Sequence, residues 1–200
     1  MRALLTAILL SAGLASATPA AAQYSDRYEF FKAVKSGDAA KAMELMGKPG
    51  STLAQQKDRD DGKTGLHIST ERLQPGWINL MIDNGADVNA QDDDGDSALM
   101  IAAASGFTDG VRLLLYHKAN VNLANRRGET PLIRAVQQRD LDIIRLLLAA
   151  GADPDQRDSF AGLSAREYAA RDRRAARVLE LIENNGKDAG DDVEVSGPSL

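Results

Sequence analysis

Two histidines, an acidic run at 92–96 and a serine two residues behind a glycine are the places where this chain could carry chemistry. His67 and Glu71 stand four apart, which places them on one face of a helix. A zinc protease motif needs two histidines at that spacing with the glutamate between them. His117, the other histidine, is too far along the chain to supply it. The run Asp92-Asp93-Asp94-Gly95-Asp96 invites comparison with a calcium loop, which wants oxygen ligands at alternate positions, glycine sixth and glutamate twelfth. Counting from Gly95, the first place falls on Ala90 and the twelfth on Ile101, so both strong ligands are missing. Ser164 follows Gly162-Leu163, but Arg166 stands where a G-x-S-x-G elbow needs its second glycine. There is no cysteine, hence no thiolate nucleophile, no thiolate metal site and no disulfide. No glycine loop suited to phosphate is present. Neither an enzyme nor a bound cofactor or metal is expected.

The elements that carry these residues recur. Gly62, Gly95 and Gly128 superpose at a spacing of 33, as do Thr64, Ser97 and Thr130, Leu66, Leu99 and Leu132, and Ala86, Ala119 and Ala152. A fixed period of this length marks a solenoid in which each repeat is one supersecondary unit. Asp92–Ala124 is the clearest copy: an acidic turn, a short apolar helix after Ser97, a break at Ser105-Gly106, and a second helix ending in three leucines. Thr64, Ser97 and Thr130 are placed to cap their helices, and Pro131 sits where a first turn needs no N–H. Gly85 and Gly151 end second helices in the left-handed conformation; Lys118 takes that place in the middle repeat and is expected to be strained there. Val111, Leu114 and Leu115 recur as Ile144, Leu147 and Leu148 and as Ile78, Met81 and Ile82, three and four apart on one helical face, so that face is core.

The ends differ from the middle. A basic start, an apolar run of about a dozen residues and Ala20-Ala21-Ala22 read as a secretory signal peptide over 1–22, too short in its apolar part to span a bilayer. Residues 23–59 form an N-terminal capping unit, a degenerate repeat without its glycine turn, with Tyr28, Phe31, Val34, Met43 and Met46 available for its buried side. Repeats follow at 60–91, 92–124 and 125–157. The unit at 158–184 is in register only after a one-residue insertion and carries Arg166, Arg171, Arg173, Arg174 and Arg177, as a solvated C-terminal cap would. Residues 185–200 are acid-rich and poor in apolar side chains, which predicts a disordered tail. The chain is ordinary in apolar and charged content, low in aromatics and acidic, with net charge −5 and pI near 5.1, so it lacks the basic footprint of a nucleic-acid binder.

Gly128-Glu129-Thr130-Pro131-Leu132, Gly62-Lys63-Thr64-Gly65-Leu66-His67 and Gly85-Ala86-Asp87-Val88-Asn89-Ala90 together resemble the ankyrin repeat, over roughly Tyr28 to Asn184. The resemblance implies an all-α solenoid of antiparallel helix pairs with short β-hairpin fingers, which binds partner proteins through the fingers and inner helices. It also implies that His67 is structural, tying neighbouring turns by hydrogen bonds. Gly65 and Ala98 replace the motif's proline, Met100 and Ile133 its first-helix histidine, and Leu73 and Arg139 its mid-repeat glycine. These departures are expected to weaken single repeats and to leave the fold intact.

Positions that packing does not need are the contact candidates: Asp60, Asp61, Lys63, Glu71 and Arg72; Asp93, Asp94, Asp96, Ala104 and Ser105; Arg126, Arg127, Glu129, Gln137 and Gln138; and Phe160 as an apolar anchor. The first two fingers are acidic and the third basic at its tip, with Asp93, Asp94 and Asp96 free of structural work. The expected protein is a monomeric, non-catalytic interaction module of a Gram-negative-type periplasm. It has no membrane span once its signal is cleaved, no nucleic-acid partner and no cofactor, and its partner is a protein such as an exported enzyme. A binder of small molecules or cell-wall fragments is the alternative, for which an aromatic-lined cleft would be needed.

Overall fold

In the computed structural model, which describes residues 19–184 with side chains from residue 26 onward, helices alternate with tight turns in a single repeating course. The pairs are α1 (Pro19–Ser36) with α2 (Ala39–Met46), α3 (Gly65–Glu71) with α4 (Pro75–Asp83), and α5 (Ala98–Ala104) with α6 (Thr108–Tyr116). Next come α7 (Pro131–Gln138) with α8 (Leu141–Ala149) and α9 (Ala165–Arg171) with α10 (Ala176–Glu183). The odd-numbered helices pack in an inner row from α1 to α9, and α4, α6, α8 and α10 in an outer row. Most of the expected signal peptide, and all of the expected acidic tail from residue 185 on, lie outside the described residues.

Local chemistry sets the helix starts. Ser97 Oγ accepts from Met100 N–H at 3.2 Å and Thr130 Oγ1 from Ile133 N–H at 3.3 Å. Ser164 and Glu167 cap each other, with Oγ accepting from Glu167 N–H and the Glu167 carboxylate from Ser164 N–H. Lys118 has φ of +64°, Leu73 +55° and Arg139 +58°, so the left-handed turn is imposed on residues with side chains where sister repeats use glycine.

The recurring apolar rows are core: Ile78, Met81, Val111, Leu114, Ile144 and Leu147 are fully buried, and Leu115 and Ile82 half-buried at the edge. The first unit departs from expectation. Phe31, Val34 and Met46 are buried, but Tyr28 and Met43 are 68% and 55% exposed, and Phe30 takes the central place at 0%. The cause lies across the interface at Gly65, where an added Cβ would come 3.1 Å from the Phe30 ring and 2.6 Å from Met81 Sδ. The Phe30 ring and Met81 fill the space a proline would occupy in the usual motif. Rotating α1 to seat Phe30 turns Tyr28 outward. The extra length before the second unit forms a 3₁₀ turn, Leu53–Gln55, which packs against both α2 and α3.

The expected hairpin fingers are minimal. Single antiparallel bridges close three of them, at Lys57–Thr64, Gln91–Ser97 and Arg157–Ser164. The first and last are each one residue longer than the second, so the insertion read at the C-terminal finger has a counterpart at the other end. Asp61 O accepts from Asp93 N–H at 3.1 Å, Asp94 O from Arg126 N–H at 3.1 Å, and Arg127 O from Ser159 N–H at 2.7 Å, stitching each finger to the next. The glycines follow from this. A Cβ at Gly95 or Gly128 would lie 2.7 or 2.6 Å from the neighbouring finger's backbone nitrogen, whereas one at Gly162 would meet nothing within 4 Å among the described residues.

Candidate protein-binding face

Each of the last three fingers is held by one short polar side chain at its base. Asp92 Oδ1 accepts from Asp94 N–H and Asp96 N–H at 3.0 and 2.9 Å, and Asn125 Oδ1 from Arg127 N–H and Glu129 N–H at 2.9 and 3.0 Å. Asp158 Oδ1 takes the N–H groups of Phe160, Ala161 and Gly162, while its other oxygen accepts from the Tyr168 hydroxyl at 2.5 Å. Burial alone would raise the Asp158 pKa, but these donors outweigh it and hold the carboxyl below its usual range. Tyr168, half-buried and donating to a carboxylate, is pushed up to about 12. Asp92, Asn125 and Asp158 are 33 apart, a column that sequence reasoning passed over although short Asx residues favour such turns. With its carboxylate turned into the finger, Asp92 serves the turn. Among the described residues no three acidic or histidine side chains gather as a metal site would require.

His67 lies at the junction of two fingers. Its Nδ1 accepts from Thr64 N–H at 3.1 Å, which leaves the proton on Nε2, and Nε2 donates to Asp96 O at 3.0 Å. Burial pushes the imidazole pKa down, in keeping with a neutral ring.

Three expected contact residues are bound within the fold instead. Asp96 is half-buried, accepts from Asn125 Nδ2 at 2.7 Å and lies 3.9 Å from Arg134 Nη2, so it is not free of structural work. Glu129 is only 8% exposed, because Arg134 Nη2 at 3.1 Å, Arg127 Nε at 3.0 Å and Asn125 Nδ2 at 3.1 Å draw its carboxylate inward. Arg72 donates to Lys35 O at 2.7 Å and to Gln74 at 3.2 Å, tying the end of α3 to the end of α1. Arg134, half-buried on α7, was not singled out from sequence. A lone charge at an inner-helix position gives no sign that two carboxylates from adjacent fingers converge on it.

Lys63 is intermediate: its ammonium pairs with Glu71 at 2.8 Å and Asp61 at 3.2 Å, which raises its pKa and neutralises part of the first finger. Ser105 is exposed and Ala104 half-buried, and the Ser105 hydroxyl returns to Ile101 O at 2.9 Å. What stands outward is a stripe over successive fingers. Asp60 and Asp61 come first, then Asp93 and Asp94, then Arg126 and Arg127, with Gln137 and Gln138 exposed on α7. Phe160 follows on the last finger at 86% exposure. At the other end, an open groove of about 710 Å³ runs between α1 and the first finger, lined by Tyr28, Phe31, Lys32, Lys35, Asp58 and Arg59 among others.

A row of helix pairs stitched through short fingers defines a helical repeat solenoid, whose inner face is a surface rather than a pocket. The family model described as ankyrin repeats (3 copies) matches residues 30–125 and again 72–158, and the chain belongs to that family. Such repeats are generally protein-interaction modules and are typically non-catalytic. No curated protein matches the chain. Among the described residues no helix is long and apolar enough to cross a membrane.

Proposed function

We propose that the protein is a non-catalytic interaction module of the periplasm, monomeric on its own, that binds a partner protein through its fingers and inner helices. The observation that carries this is the ordered charge of the exposed tips: two acidic fingers, then a basic one, then Phe160 in the open. Complementary charge on a partner would fix its register and speed encounter more than it would add affinity. An exposed aromatic near the end of such a stripe is the type of residue that anchors an interface. Export rests on the basic start, the apolar run and the small residues before Gln23.

The test replaces Arg126 and Arg127 by glutamate, and separately Phe160 by alanine, and compares partner recovery by affinity capture from periplasmic extract. Loss of the same protein with both variants is expected. Unchanged recovery with both would overturn the proposed face. Recovery of the chain from the periplasmic fraction with Gln23 at its N-terminus checks export.

A second reading, a small-molecule or cell-wall-fragment binder, has one observation in its favour: Tyr28 and Phe31 line the N-terminal groove. A ligand bound there would raise the unfolding midpoint with concentration. No shift with cell-wall fragments would remove that reading.

A further inference from the structure

On the outer side of the solenoid, between the C-terminal halves of α6 and α8, lies an open groove of about 790 Å³ lined by Arg112, Leu115, Tyr116, Lys118, Ala149 and Ala150 among others. Three features distinguish it. Tyr116 is 49% exposed above an apolar floor. Neither the Arg112 guanidinium nor the Lys118 ammonium has a hydrogen bond or ion pair among the described residues, whereas Arg145, one helix on, pairs with Asp142 at 3.3 Å. Lys118 also holds a φ of +64° at the place where the neighbouring repeats have Gly85 and Gly151. A side chain kept in a conformation that glycine adopts more easily points to a use for that side chain.

We infer that this groove seats the acidic segment Asp191–Val195 of the same chain. In an extended segment, Val193 and Val195 fall on one side and Asp192 and Glu194 on the other. The valines cover Leu115 and Tyr116, and the carboxylates meet the two cations at the rim. The groove lies within reach of the segment. α10 packs on α8, and α8 on α6, so the groove lies one to two helix positions from α10. Two helix spacings amount to about 16–20 Å. The eight residues from Asn184 to Asp192 cover about 14–17 Å as a coil and up to about 26–29 Å extended. The N-terminal groove is the poorer acceptor, since Lys35 is already paired with Asp58 and Arg27 donates to Lys57 O. Seated on the outer row, the segment leaves the fingers open.

Because the chain has no cysteine, Ser196→Cys in the full chain gives a single site for a nitroxide label. Broadening of amide signals at Leu115, Tyr116, Ala149 and Ala150 is expected. It should be lost in Arg112→Glu/Lys118→Glu and at about 1 M salt, where the screening length is about 3 Å, and restored when Asp191→Lys/Asp192→Lys is added to the charge reversal. Amide shifts away from the groove report whether the reversed variant is folded; if it is not, Lys118→Ala is read in the same way. Broadening centred elsewhere, no localised broadening, or broadening that persists between labelled and unlabelled copies in a mixture would each overturn the assignment. The last outcome would place a second copy's segment in the groove.

Discussion

At His67 the imidazole is held from both sides, Nδ1 by Thr64 N–H and Nε2 by Asp96 O, and burial lowers its pKa below the ordinary value of 6.5. The unfolded chain therefore binds a proton at higher pH than the folded one. The stabilisation from the neutral ring is whole above about pH 6.5 and is lost as pH falls through that value toward the folded pKa, by at most about 1.4 kcal/mol per pH unit. Urea unfolding between about pH 7.5 and 5.5, above the carboxylate range, should show this slope in the native chain and a flatter one in His67→Asn. Equal slopes would contradict it. The structural role of this histidine was legible from its place in the repeat motif. That Asp96 and Glu129 turn inward was not, because a carboxylate at a finger looks the same in sequence whether its cation is solvent-side or buried.

At the scale of the helix, the first pair illustrates how a neighbour overrides a local rule. Proline suits the first position of α7 because no N–H is needed there. The same logic makes Gly65 look like a defect at the start of α3. The structure gives it a purpose, since Phe30 and Met81 occupy the space a Cβ would need. Gly65→Pro, a change toward the family pattern, should therefore destabilise by about 1–3 kcal/mol through overpacking, read from the denaturant midpoint at unchanged m-value. Pairing it with Phe30→Leu should recover part of the loss. A stabilised single variant would show that the close approach is not the governing contact. The helix pairs of the three central repeats, the caps at Ser97 and Thr130 and the core rows of those repeats were legible from periodicity. The rotation of α1 was not, because Tyr28, Phe30 and Phe31 are all aromatic and closely spaced, and the facing glycine selects between them.

Over the whole molecule, stability in a solenoid is shared between each repeat and its immediate neighbours. The middle pairs α5–α6 and α7–α8 have complete repeats on both sides, whereas α1–α2 meets the stack partly through the 3₁₀ turn and α9–α10 has a neighbour on one side only among the described residues. Amide hydrogen exchange should accordingly be slowest in α5, α7 and α8 and become faster toward α2 and α10. Uniform protection would instead indicate a single cooperative unit. The end fingers follow the same logic: each has one extra residue, and among the described residues Gly162 faces open space where Gly95 and Gly128 meet a following finger.

Sequence alone determined the repeat, its period, the helix faces and the finger positions, because these depend on short-range spacing and on turns only certain residues can make. The tertiary structure decided which finger charges stand outward and which are drawn inward as counterions. It also decided why one unit prefers glycine to proline, and that Arg112 and Lys118 flank one groove. Those outcomes depend on residues about thirty apart meeting across a repeat boundary, and no local spacing encodes which of several similar side chains fills the space between them.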